Sequence, residues 1–156
     1  MIGPKGEFID RQEKMHPFDY ERDNVKPGNE AKIFNTACKF GVIICYDRVF
    51  PNVANTLVKK GVQVLFSPSR IVRRWIKPWQ MYVQVIALKN RIPILAANVE
   101  NRRFGRNSII IDLNENNIVT TKVMKINGKC GISKKFDLNK YEKSRKMRFL
   151  DSNNFQ

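Results

Sequence analysis

Three apolar runs of strand length constrain what this chain can fold into: "KFGVIICYD", "VQVLFSPS" and "IPILAAN". Each is nearly continuous rather than alternating, the pattern of strands buried on both faces of a sheet. The second is expected to close at Pro68. Helical spacings lie between them. "FPNVANTLVKKG" places Val53, Leu57 and Val58 at helical intervals, with Pro51 near the start and Gly61 as the stop. "KPWQMYVQVIALKNR" carries Met81, Val85 and Leu88 as the apolar stripe of a longer amphipathic helix. Strand, helix, strand, helix, strand is the order of an α/β fold whose helices cover its strands.

The flanks add smaller elements. "KIFNT" predicts a short strand, and "NSIIIDLNENNIVTTKVMK" a hairpin turning at Asn114 to Asn117. "KCGISKKFDL" predicts one more strand, and "NKYEKSRKMRFL" a C-terminal helix capped by Asn139. Residues 1–30 are polar and broken by Gly3-Pro4, Gly6, Pro17 and Pro27-Gly28, so they supply almost nothing to cover a two-sided sheet. The chain therefore reads like the later part of a larger sheet. With no repeat, low-complexity tract or interdomain linker, residues 1–156 are expected to form a single, N-terminally truncated domain.

A hydrophobic content of 42% over 156 residues is enough for one real core and excludes a disordered chain. No stretch reaches the roughly 20 apolar residues of a membrane span, and "MIGPKGEFID" has no signal-peptide core. Cys38, Cys45 and Cys130 lack paired spacing, which points to reduced thiols in a cytoplasm. His16 is the single histidine, so neither a metal site nor a cofactor is expected. Net charge is +15, which fits either nucleic-acid binding or a solvated basic surface. Because the positive residues are scattered and not interleaved with aromatics, the solvated surface is favoured. "RIVRRWIKPW" keeps the nucleic-acid reading open.

Reactive groups of α/β folds sit at the carboxyl ends of strands, where side chains become accessible. Cys45 stands at such an end, ahead of Tyr46-Asp47 and a helix start. Helix-end amides there would favour a thiolate. A cysteine ending an apolar run is more often plain core, so the position alone leaves both readings standing. Upstream, Lys14 precedes Glu21 in a turn-rich segment, where two solvated charges are the plain reading. The order shifts the balance: Lys, Glu, Pro-Gly, short strand, apolar strand, Cys-Tyr-Asp.

That order resembles the carbon–nitrogen hydrolase (nitrilase/amidase) superfamily. "GPKGEFIDRQEKMHPFDYERDNVKPG" is similar to the stretch around its catalytic lysine, and "FGVIICYDRVFPNVANTLVKKGVQVLFSPS" to its nucleophile segment. "IALKNRIPILAANVENRRFGRNSIIIDLNENNIV" resembles the following helix, strand and hairpin, and "FDLNKYEKSRKMRFL" the closing strand and helix. The resemblance implies the C-terminal portion of a four-layer α-β-β-α sandwich. It implies Cys45 as nucleophile, Lys14 as oxyanion stabiliser, Glu21 as the lysine's partner, and the Tyr46 amide as completing the oxyanion hole.

The chemistry suits those residue types. A thiol with a pKa of about 8.5 is only a few per cent thiolate at pH 7, so it needs a base or a nearby positive charge. Attack on an amide or nitrile carbon develops negative charge that an ammonium and an N–H can hold. The family's base is a glutamate well upstream of the lysine, and Glu7 and Glu13 lie too close to Lys14 to serve. After Cys-Tyr-Asp the family has an apolar residue, Arg, Phe, Pro and Glu; here stand Arg48, Val49, Phe50, Pro51 and Asn52.

Three functions stay in view. The first is hydrolysis of a non-peptide C–N bond in a small amide or nitrile through a cysteine thioester, with little turnover by this chain alone. The second is an inactive binding or structural subunit derived from the family. The third is a basic nucleic-acid-associated protein. Exposed sheet edges predict a homo-oligomer, or a partner chain supplying the missing part. "RIVRRWIKPW" is expected at the pocket mouth, where its charge would suit an acidic substrate.

Overall fold

The computed structural model describes residues 1–99, 101–105, 107–113, 119–123 and 133–153. Two short strands, β1 (Phe34–Asn35) and β2 (Lys39–Val42), form an antiparallel pair, after which the chain turns through a 3-10 segment at Cys45–Val49. Helix α1 (Pro51–Lys59), strand β3 (Val64–Ser69), helix α2 (Ile76–Asn90) and strand β4 (Ile94–Asn98) follow. Strands β5 (Ile109–Leu113) and β6 (Val119–Val123) make the expected hairpin, and helix α3 (Leu138–Asn153) closes the described chain. The six strands lie in sequence order, with β2, β3 and β4 parallel and the others antiparallel to their neighbours. This is the α/β fold predicted. Both crossovers run in the same direction, so right-handed connections place α1 and α2 on one face of the sheet.

That face holds the core: Ile43, Leu57, Leu65, Trp79, Val83, Ile94 and Ile111 are all fully enclosed. Gly41 is required there, because a Cβ would stand 2.9 Å from a Leu57 methyl. The opposite face is apolar but only half covered. The register sets Val42 beside Phe66, Phe66 beside Leu95 and Leu95 beside Ile110, and Phe66 remains 37% exposed. The strands are therefore buried chiefly on the helix side, rather than equally on both faces as their sequence implied.

Other expectations shift for identifiable reasons. Pro68 does not close β3; it sits within the strand opposite Ala97, facing the half-covered side. Helix α2 buries Ile76, Trp79, Val83, Ile86 and Ala87, while Met81, Val85 and Leu88 face outward. The helix is apolar around most of its circumference, and the large Trp79 decides which stripe goes inside. Its C-terminus is closed by Arg91 in the left-handed conformation. Helix α3 begins one residue ahead of Asn139, and Asp137 accepts the Asn139 and Lys140 amides in the capping role. Residues 133–137 carry no strand, and the hairpin turn at 114–117, Arg106 and Cys130 lie outside the described residues. No helix among the described residues is long and apolar enough to cross a membrane.

The inverted face of α2 has a direct check in urea unfolding. Trp79→Ala is expected to cost about 3–5 kcal/mol as a core deletion. Val85→Ala should stay within about 0.5 kcal/mol.

Candidate active site

The carboxyl ends of β2, β3 and β4 meet at one end of the sheet, and the site is built there. Beyond Val42 the chain continues through Ile43, whose N–H donates to the Phe66 carbonyl at 2.9 Å, and then turns at Cys45. Cys45 has a φ of 49°, in the left-handed region that a side chain rarely adopts. Strain of this kind gathers where a side chain must be presented in one direction. The thiol is free and half-buried, and Cys45 packs at the margin of the core.

Two short turns carry the charged groups, and each is closed by its own carboxylate. In the turn Asp19–Glu21, the Glu21 Oε2 accepts the Phe18 N–H at 2.7 Å. In the turn at Cys45–Val49, the Asp47 Oδ2 accepts the Ile44 N–H at 3.1 Å. Such back-bonding satisfies donors that a helical turn otherwise leaves open. Glu21 also forms a close ion pair with Lys14, both side chains being partly buried. Burial opposes ionisation of Glu21, but Lys14, the Phe18 amide and the charge of Arg70 outweigh it and hold the carboxyl below its usual range.

Asp47 joins the two halves. It is 1% exposed, and its Oδ1 accepts the amides of Met15 at 3.1 Å and His16 at 2.7 Å, with His16 Nδ1 at 3.1 Å. One carboxylate thus binds the residue after the lysine and the residue before the cysteine. The His16 ring stacks on Phe50 with centroids 3.8 Å apart, which fixes the loop against the start of α1. Neither Asp47 nor His16 was singled out in the sequence as a site residue; an aspartate ending an apolar run was the available signal. The Tyr46 N–H has no acceptor among the described residues. Arg48 donates from Nη1 to the Cys45 carbonyl.

The mouth is basic. Arg70 directly follows β3, and its guanidinium lies over the Phe104 ring, 4.5 Å from the centroid; Arg103 approaches the same ring at 5.7 Å. The loop is tied down by the Gly105 amide donating to the Ile71 carbonyl at 2.9 Å and by Asn98 bonding the Ile71 backbone. Glu7 and Glu13 are exposed and engaged locally, with the Lys5 amide and Arg11 respectively. Among the described residues no cluster of metal-ligating side chains occurs.

The sequence profile of the family described as Carbon-nitrogen hydrolase matches residues 1–122. The chain belongs to this family. It is 36% identical over 86 residues to a probable nitrilase of Schizosaccharomyces pombe, covering 54% of this chain and 32% of that protein. It is 30% identical over 109 residues to an omega-amidase of Xenopus tropicalis, covering 63% of this chain and 40% of the relative. Among solved structures, a carbon-nitrogen hydrolase of Helicobacter pylori superposes with a TM-score of 0.65 at 22% identity, over 88% of this chain and 56% of that one. The fold is thus a portion of the nitrilase-type α-β-β-α sandwich, and the chain spans well under half the length of the two relatives.

The Glu21 ion pair should register in stability against pH. A depressed carboxyl stabilises the fold above its ordinary value of 4.5, and that contribution is lost as pH falls through the lower folded-state value. Glu21→Gln should therefore be less stable than the unaltered chain near pH 6. The gap in urea midpoint should close as pH falls below about 4.

Proposed function

We propose that this site hydrolyses the C–N bond of a small amide through a thioester on Cys45. The observation that carries the reading is the Asp47 link, which ties the lysine segment to the strained turn bearing the cysteine. The Cys45 sulfur attacks the amide carbon, and negative charge grows on the substrate oxygen. Lys14 and the Tyr46 N–H face that charge, with Glu21 fixing the direction of the ammonium. The C–N bond then breaks as the nitrogen takes a proton and leaves as ammonia. Water attacks the thioester, releasing a carboxylic acid and restoring the thiol.

A proton acceptor is needed at both stages. Glu21 is committed to Lys14, and Glu7 and Glu13 to local partners, so none of these three is the base. Arg70, which contacts no carboxylate directly among the described residues, favours amides with an anionic far end. The free thiol on which this chemistry depends fits a reducing compartment such as the cytoplasm.

The test is ammonia release from small amides, with and without a carboxylate, alongside iodoacetamide labelling of each cysteine. Cys45 is expected to label faster than Cys38, Lys14→Met to slow Cys45 alone, and Cys45→Ala to abolish ammonia release. Ammonia release persisting in Cys45→Ala would sink the assignment. If Cys45 labels no faster than Cys38, a binding subunit of the same family is the better reading.

The half-covered sheet face and the outward stripe Met81, Val85 and Leu88 both leave large apolar side chains exposed. We read both as docking surfaces, for a second copy or for a chain that completes the sandwich. Light scattering should return a mass above that of the 18.2 kDa monomer. A monodisperse monomer would remove this part of the proposal.

A further inference from the structure

Arg48 stands where the family pattern places an apolar residue, and it does something an apolar residue cannot. Its side chain folds back across the turn and donates from Nη1 to the carbonyl of Cys45. The guanidinium is half-buried, and its Nε is enclosed with no partner among the described residues. Burial pulls its pKa down, opposed by the Cys45, Tyr82 and Tyr46 side chains beside it. Even so, a guanidinium stays protonated at any working pH. An interior charge with an unused donor is costly to keep and needs a reason.

The reason lies in the peptide that Arg48 grips. The Cys45 carbonyl and the Tyr46 N–H belong to one planar trans unit, so the two groups point in opposite directions. A donor fixed on the oxygen fixes where the N–H points. It also draws electron density toward the oxygen and makes the N–H a stronger donor, as in any chain of hydrogen bonds. That N–H lies in the first turn of a 3-10 segment, and among the described residues nothing accepts it.

We infer that Arg48 is a positioning residue that orients and polarises the Tyr46 N–H toward the oxyanion formed when Cys45 attacks an acyl carbon. The inference rests on the hydrolase reading of Cys45 but makes a separate claim. Arg48 does not touch the substrate. It acts through the Cys45–Tyr46 peptide, and its contribution appears only when negative charge develops on the substrate oxygen.

Two reactions at the same sulfur separate that effect from any other. In acylation by 4-nitrophenyl acetate, an S–C bond forms, the carbonyl passes through an oxyanion, and 4-nitrophenolate leaves. In alkylation by iodoacetamide, an S–C bond forms as iodide leaves, and no oxyanion arises. Both need the thiolate, so at one pH the ratio of their rates at Cys45 cancels the thiolate fraction. Peptide mass spectrometry of the full chain reads both, with Cys38 as internal reference.

Arg48→Leu is expected to lower the acylation-to-alkylation ratio at Cys45 about tenfold. That is less than the 10²–10³ lost when an oxyanion donor is removed outright, because here the donor remains. Arg48→Gln keeps an N–H for the carbonyl without the charge, and its ratio should fall between the two. It also serves if the leucine variant does not fold. An unchanged ratio in both variants overturns the inference, whether the two rates stay constant or fall together. A Cys45 that reacts no faster than Cys38 with either reagent in the unaltered chain overturns the hydrolase reading and this inference with it.

Discussion

The buried carboxylate of Asp47 is the interaction on which the rest of the site depends. The segment carrying Lys14 has almost no secondary structure, and most of its large apolar side chains, Ile2, Phe8, Ile9, Phe18 and Tyr20 among them, stay exposed. What fixes it is a set of N–H groups from Met15 and His16 converging on one carboxylate that also closes the cysteine turn. Hydrogen bonds to a charged group contribute roughly 1.5–3 kcal/mol each, more than neutral ones, and a buried donor left open costs a comparable amount. Loss of Asp47 would therefore release the lysine loop and the cysteine turn in one step. The left-handed φ of Cys45 needs such an anchor, since a strained residue keeps its geometry only where its surroundings over-determine it.

Above that anchor, the sheet decides direction. The parallel strands β2, β3 and β4 send their carboxyl ends to one side, so Cys45, Arg70 and Asn98 arrive together although they come from three separate segments. Helices α1 and α2 cover one face and leave the other with Val42, Phe66 and Leu95 in half-exposed rows. The site sits at the end of the well-packed layer, not on the open one. The strands that aim the cysteine are thus held by the Leu57, Trp79 and Ile94 core, whatever covers the second face.

Much of this was legible in the residues. The three apolar runs placed the parallel strands, and Pro51 and Gly61 bracketed α1 within two residues, Gly61 taking the φ of 89° that a helix stop asks for. Lys14 and Glu21 do meet. What was not legible has one kind of cause. Apolar pattern gives periodicity but not phase, so in α2, where apolar residues surround the axis, the spacing of Met81, Val85 and Leu88 points to the wrong face. The same limit hid Asp47: its role comes from backbone amides far along the chain, and those carry no side-chain signature. Asp137 outcompeted Asn139 for the α3 cap by standing one position before the helix, a matter of register that composition does not encode.

Net charge illustrates the difference between amount and placement. A chain at +15 repels itself, and five arginines fall within 70–74 and 102–103. Two of them nevertheless approach one ring, because the Phe104 face attracts a cation and offsets part of the repulsion between guanidiniums. Asn101 holds that ring in place by accepting the Arg103 and Phe104 amides, each at 2.9 Å. The field of the arginine mouth also reaches Glu21, where Arg70 helps keep the lysine's partner ionised. One residue at the end of β3 thus contributes to the electrostatics of the Lys14 pair, and its place at a strand terminus rather than the overall charge makes that possible.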